Sequence, residues 1–308
     1  MMQKEINLIQ NEVEKVISGK TEVIRKILMA ILAEGHILLD DVPGVGKTTM
    51  AVALGKTMNL VYNRVQFTPD VLPSDIVGFS MYNKETGAFE YKPGIVTETN
   101  LLLGDEINRT SSKTQSALLE AMEENQVTVD GHTYPLKAPF IVIATQNNVG
   151  TAGTQLLPYA QMDRFLVRLS IGYPDRAAQM ALLRQRQNAD PIRNVAQVVT
   201  LERVLQMQQE GRAVFLEYIT SLAIASREHA LTEIGISPRG ALYLDRMAKA
   251  CAYLEGRDFV IPEDVRAVFA DVCAHRLILS QKARLSGATA LDVVNDLLKT
   301  VAVPDRRG

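Results

Sequence analysis

The chain is poor in cross-linking and metal-binding residues: its 308 positions hold two cysteines and four histidines. With so little sulfur, any buried core must form without a disulfide framework. Cys251 and Cys273 lie in helix-like segments and read as buried reduced thiols. His36, His132, His229 and His275 show no metal-ligand spacing and read as structural or exposed. A basic excess is also missing. The 33 Lys and Arg residues against 35 Asp and Glu leave a net charge of -2, so no overall positive field points to nucleic acid. No run of about 20 apolar residues occurs, and no membrane span is expected. The opening "MMQKEINLIQNEVEKVI" mixes charges at helical spacing, where a signal peptide needs a continuous apolar block. Internal repeats and low-complexity tracts are absent. These exclusions leave a soluble, cytoplasmic globular protein of one large domain or two ordinary ones, with 47% hydrophobic residues to build a core.

Residues 5–33 read as two amphipathic helices split at "SGKT". "HILLD" at 36–40 is a short apolar run, "DVPGVGKTT" at 41–49 is rich in glycine, and "TTMAVALGKTMNL" continues as a helix. That strand–loop–helix order belongs to nucleotide-binding α/β folds. "NRVQFT", "TNLLLGDE" and "APFIVIAT" are further buried-strand candidates. Apolar throughout rather than alternating, they suit a parallel sheet covered on both faces. Two hairpins interrupt the pattern, one turning at Glu85-Thr86-Gly87 and one at Asp130-Gly131, with a helical stretch, "SSKTQSALLEAMEE", between them. "IGYPD" at 171–175 reads as a hinge. Beyond it strand candidates vanish and helical patterns dominate, one of them starting with Ser237 as N-cap and Pro238 behind it and stopping near Gly256. The expected organisation is an α/β core over 1–173 and a small all-helical lid over 174–308.

Four elements carry chemistry. Gly44 and Gly46 let backbone amides turn toward phosphate oxygens; Lys47 neutralises them, and the Thr48 hydroxyl suits magnesium. The following helix adds the positive end of its dipole. The pattern G-x-x-x-x-G-K-[ST] wants glycine at 41, where this chain has aspartate. The expectation for Asp41 is a carboxylate pointing to solvent, weakening nucleotide binding slightly. Second, "NLLLGDE" is an apolar strand ending in Asp105 and Glu106, the first placed to hold Mg²⁺ and the second to polarise an attacking water. Third, "IVIATQN" ends a strand in Asn147, an amide for orienting that water. Fourth, Arg164 in "MDRF" and Arg239 in "SPRG" could supply positive charge to a transition state.

With these residues in place, the stretch from about 60 to 175 resembles the MoxR family of AAA+ ATPases. The matching segments are "QFTPDVLPSDIVGF", "ETGAFEYKPG", "LLLGDEINRTSSKTQSALLEAMEENQVTVDG", "IVIATQN" and "AQMDRFLVRLSIGYP", with "ISPRGALYL" in the lid. The resemblance implies an AAA+ core with β-hairpin inserts and a helical lid, working as a homo-oligomeric ring, usually a hexamer, that hydrolyses ATP with Mg²⁺ at subunit boundaries. It assigns phosphate binding to Asp41, Val42, Pro43, Gly44, Val45, Gly46, Lys47, Thr48 and Thr49. It assigns the acidic motif to Leu101–Glu106, sensor 1 to Asn147, the arginine finger to Arg164 and sensor 2 to Arg239. Arg168, placed one helical turn after Arg164, is the alternative finger, and Arg109 could also face a neighbour. "VISGK", with Gly19, resembles the segment lining the adenine pocket. The hairpins match inserts that face a pore or client.

The chain departs from the family pattern at Asp41, at Asn148 where many relatives have proline, and at Tyr159 where many have glutamate. The resemblance further implies chaperone-like remodelling or maturation of a protein client, often with a separate partner carrying a von Willebrand factor A domain. An AAA+ nucleic-acid motor or loader is the alternative reading, which the balanced charge disfavours.

Overall fold

The computed structural model describes residues 2–42, 44–146, 157–185, 191–210 and 216–303. Two helices, α1 (Met2–Glu14) and α2 (Thr21–Leu32), precede strand β1 (Ile37–Asp40) and helix α3 (Lys47–Thr57). Then follow β2 (Tyr62–Gln66), α4 (Pro73–Val77), the hairpin β3 (Gly78–Asn83) and β4 (Ala88–Pro93), β5 (Leu101–Asp105) and α5 (Ser112–Glu124). A second hairpin, β6 (Gln126–Val129) and β7 (His132–Pro135), leads to β8 (Ile141–Gln146), α6 (Tyr159–Met162) and β9 (Val167–Leu169). The remainder comprises α7 (Arg176–Gln185), α8 (Leu201–Gln209), α9 (Leu216–Glu228), β10 (Thr232–Ile234), α10 (Pro238–Leu254), α11 (Pro262–Cys273), β11 (Ile278–Leu279), α12 (Gln281–Leu285) and α13 (Ala290–Thr300).

The central sheet is parallel, in the order β2-β5-β8-β1-β9. Its apolar runs are explained by its two faces. Ile37, Leu39, Leu101, Leu103, Ile141 and Ile143 turn to one core, while Leu38, Leu102, Val142 and Ala144 turn to the other. A strand buried on both sides has no position left for a polar residue until it ends. The polar residues Asp40, Asp105 and Thr145 therefore cluster at the carboxyl edge, where ligands of open α/β sheets bind. In the second hairpin, Asp130 and Gly131 both take positive φ, the backbone a two-residue turn requires.

The second half is helical as expected, with one correction. β10 and β11 pair antiparallel, so the lid is not all helical. These strands are too short to show a periodicity. α10 is capped as the sequence indicates, with the Ser237 side chain accepting from Gly240 N–H. α10 packs against α1 and α2, and a single apolar cluster runs from Ile6 through Leu54 to Leu297. The segment 171–175, read as a hinge, is anchored: Lys20 Nζ donates to the Tyr173 carbonyl at 2.8 Å, and Asp41 holds Ile171 and Gly172.

Arg276, just after α11, has no exposed surface. Its Nε donates to Asp163 Oδ1 at 2.9 Å, and its terminal nitrogens donate to the carbonyls of Asp163 and Phe165 at 3.0 and 2.6 Å. Asp163 also accepts from Ser237 Oγ at 3.0 Å. Both cysteines are buried and free, and burial pushes each thiol up to about 12.

His36, at the foot of β1, is buried between strands and α5. Its Nδ1 accepts from Val142 N–H at 3.0 Å and its Nε2 donates to the Met122 carbonyl at 2.9 Å. Burial pulls the imidazole down to about 4, partly opposed by the Met122 hydrogen bond. The unfolded chain then binds a proton between pH ~6.5 and ~4 that the folded chain refuses, so this contribution to stability falls as pH falls through that window. Urea unfolding should show His36→Gln losing up to about 1.4 kcal/mol per pH unit of the wild-type acid slope. An identical slope in both proteins would contradict the assignment.

Candidate nucleotide site

β1 ends at Asp40 and the chain turns through Gly44 (φ 84°) and Gly46 (φ 95°) before α3 begins at Lys47. Both glycines occupy left-handed backbone that a side chain resists. At Gly46 a Cβ would also lie 2.8 Å from Ile17 Cδ1, so the 16–20 segment packs directly on the loop. Gly19 itself faces Ala178 and Asp175. Pro43 lies outside the described residues, as do Asn147 and Asn148.

A cavity of about 320 Å³ opens at this edge, lined by Gly44, Gly46, Lys47, Thr48, Thr49, Asp105 and Glu106, with Arg64, Gln66 and Thr145. The structure thus brings the loop and the acid pair together. Lys47 Nζ donates to the Asp41 carbonyl at 2.9 Å. Burial pulls this ammonium below its ordinary value, while Asp41, Asp105, Asp40 and Glu106 pull it back. Asp105 Oδ1 accepts from Thr145 Oγ1 at 3.0 Å, and Thr145 Oγ1 accepts from Glu106 N–H at 2.9 Å. Glu106 sits at φ 56°, a strained conformation for a side-chain-bearing residue. Its carboxylate accepts from Gln66 Nε2 at 3.2 Å and from Arg109 at 2.6 Å. The Thr48 hydroxyl and the Asp105 carboxylate in one lining form a hard oxygen donor set, which suits Mg²⁺ better than a soft metal.

Two expectations change. Asp41 does not point to solvent: it is 9% exposed, and its carboxylate accepts from the Ile171 and Gly172 N–H groups and from Ser170 Oγ, the last at 3.2 Å. These donors lie after β9, so the aspartate pins the loop entry to the strand beside it and faces away from the cavity. Arg168 is not on a helix. It lies on β9 and binds Asp40, its Nε donating to Oδ2 at 3.0 Å. Arg109 is turned to Glu106 of its own chain.

Arg164 and Arg239 do not line this cavity among the described residues. They meet elsewhere, on Glu123 of α5: Arg164 at 2.8 Å and Arg239 beside it, with Arg239 also 3.6 Å from Asp163. Both remain about one-third exposed. The reading of the sequence missed Arg64, Gln66, Thr145, Glu123, Asp163 and Arg276. A signal existed for the first two. In "NRVQFT" they are two apart at a strand's end, on one face, beside the strand that ends in the acids.

Comparison with known proteins fits this geometry. Residues 36–167 match the model of the ATPase family associated with various cellular activities (AAA), and 224–297 match the AAA lid domain. Chaperone MoxR1 of Mycobacterium tuberculosis is 35% identical over 95% of this chain and 81% of its own. The chain belongs to the MoxR family of AAA+ ATPases. The uncharacterized protein YeaC of Bacillus subtilis is 45% identical, over 96% of this chain and 93% of its own. The crystal structure of a candidate ATPase from Cytophaga hutchinsonii superimposes with a TM-score of 0.90 at 39% identity, covering 99% of this chain and 96% of that one. This MoxR-type protein is an ATPase with a parallel five-stranded sheet and a helical lid. No helix among its described residues is long and apolar enough to cross a membrane.

Because Asp41 satisfies three donors, Asp41→Gly should destabilise this MoxR protein by about 3 kcal/mol in denaturant unfolding, since each buried unsatisfied donor costs about 1–3 kcal/mol. The change should not tighten nucleotide binding. Unaltered stability together with tighter binding would restore the solvent-pointing picture.

Proposed function

We propose that this MoxR protein assembles into a ring, hexameric as in the family, and hydrolyses ATP to remodel or mature a protein client. One observation carries the catalytic part: the glycine loop, the Thr48 hydroxyl and the Asp105-Glu106 pair converge on one cavity. On this reading residues 42–49, including Val42, Pro43 and Val45, embrace the phosphates, and Asp41 braces the entry of that loop. Lys47 neutralises them, Thr48 and Asp105 hold Mg²⁺, and the 16–20 segment with Gly19 borders the base. Held there, Mg²⁺ would supply charge neutralisation. Glu106 polarises the attacking water, and Asn147 orients it.

The placement of Arg164 and Arg239 supports hydrolysis at subunit boundaries. Among the described residues neither lines the cavity of its own chain, and both meet on Glu123, with Arg164 also donating to the Leu119 carbonyl and Arg239 approaching Asp163. With Arg276 included, three arginines share the two carboxylates Glu123 and Asp163, and the surplus positive charge suits a surface awaiting a neighbour's nucleotide. The exposed Phe79, Tyr82 and Phe89 on the first hairpin are suited to grip an apolar segment of a client. The name of the relative Chaperone MoxR1 agrees with such a role. A separate chain with a von Willebrand factor A domain is the adaptor the family implies.

Glu106→Gln should retain ATP binding and lose turnover by about 100-fold or more, the size of a general-base contribution. Lys47→Ala should lose binding itself. Near wild-type turnover in Glu106→Gln would sink the assignment. Affinity capture on ATP-loaded Glu106→Gln should retain protein clients; recovery of nucleic acid alone would favour a motor or loader.

The assembly has its own measurement. Turnover per subunit should rise with protein concentration. Mixing Arg164→Ala with Lys47→Ala subunits should restore part of the activity, because one mixed boundary keeps both an intact cavity and an intact arginine. A concentration-independent monomer rate would refute hydrolysis across a boundary.

A further inference from the structure

Arg64 occupies the metal side of the cavity. It lies on β2, whose parallel register sets Gln66 opposite Asp105 on β5 and Arg64 opposite Leu103. Arg64 and Gln66 share a face of the strand, so both side chains lean over the carboxyl end of β5. Two guanidinium nitrogens of Arg64 reach one oxygen of Asp105: Nε at 2.9 Å and Nη2 at 2.8 Å, both on Oδ2. Nη2 also donates to Gln66 Oε1 at 2.9 Å. The other carboxylate oxygen, Oδ1, is taken by Thr145. Both oxygens of Asp105 are therefore engaged. The Asp105 side chain is mostly buried, whereas that of Arg64 is 46% exposed.

This arrangement differs from the ordinary surface ion pair. A mostly buried carboxylate needs a counter-charge, and Arg64 supplies it. Lys47, the other cation on the wall, is committed to the Asp41 carbonyl. Arg64, Asp105 and Thr48 line one and the same cavity. For Oδ2 of Asp105 to serve a metal there, the guanidinium must yield it.

We infer that Arg64 is the resident counter-ion of Asp105, which the carboxylate exchanges for Mg²⁺ when nucleotide and metal bind. The inference rests on Asp105 being the metal carboxylate. The exchange makes the apparent metal affinity a difference between two cations. It keeps Asp105 neutralised while arginine holds it and sets a threshold of Mg²⁺ below which the carboxylate stays with arginine. Arg64 is a positioning residue here, acting through Asp105.

The test needs no turnover. Binding of a fluorescent ADP analogue is titrated with Mg²⁺ for wild type, Arg64→Gln, Arg64→Lys and each change combined with Asp105→Asn. Half-saturating Mg²⁺ should fall about threefold to tenfold in Arg64→Gln, the range expected for losing a partly exposed competing pair. Arg64→Lys keeps the charge but not the two-nitrogen grip, so it should move in the same direction. In the Asp105→Asn background both effects should vanish, which is the mark of coupling through that carboxylate. An unchanged or raised Mg²⁺ requirement in Arg64→Gln overturns the inference. So does a wild-type value for Arg64→Lys, or an effect that persists without Asp105, since either indicates a field acting through space. Wild type that binds no nucleotide at any Mg²⁺ concentration overturns the nucleotide-site reading as well.

Discussion

The buried pair of Arg276 and Asp163 is the contact on which the relation between lid and core depends. A guanidinium with no exposed surface is tolerable only with its charge matched and its donors satisfied. Burial pushes its pKa down, and Asp163 beside it pushes back. The carbonyls that complete its shell belong to Asp163 and Phe165, on either side of Arg164. The same Asp163 binds Ser237, the cap of α10, and approaches Arg239. A lid residue thus fixes the turn that presents one cluster arginine, and its partner carboxylate fixes the helix start that presents the other. Breaking such a pair from one side costs about 3–5 kcal/mol, because the remaining charge stays buried.

The legible parts of the molecule were those with a local cause. Continuous apolar runs indicated β1, β5 and β8 because both faces of these strands are covered. The Asp130-Gly131 turn and the Ser237-Pro238 helix start are short-range backbone preferences, and both appear where the residues predict them. β9 has three residues and β10 and β11 no more, so no period could reveal them. Partners distant in sequence stayed hidden for a different reason. Nothing near Asp41 announces that its acceptors will be filled from Ser170, Ile171 and Gly172. Its carboxylate looked like a liability in a phosphate loop and proves to be an anchor, because β9 lies directly beside β1. Arg276 was illegible likewise: its charge partner and most of its acceptors lie in residues 163–166, more than a hundred positions away.

The candidate site shows the same division. Gly44, Gly46, Lys47, Thr48, Asp105 and Glu106 converge on a cavity that the sequence pattern indicates. Their restraining partners come from neighbouring strands and from the turn after β5. Gln66 and Arg109 restrain Glu106, and Thr145 props Asp105 while supporting the strained backbone of Glu106. The charged side chains of the site are therefore tied to one another, and a ligand must exchange some of these contacts for its own.

The packing of α1 and α2 against α10 bears on how the chain is made. Leu32 closes α2 early, while the helix that covers its outer face starts only at Pro238. A ribosome adding about 5–20 residues per second delivers that helix roughly 10–40 s later. Through that interval buried positions such as Ile24, Ile27 and Leu28 lack part of their final surroundings. Helices α1 and α2 leave the exit tunnel long before α10 and are finished only when it arrives, and until then the nascent chain carries an adhesive apolar stripe.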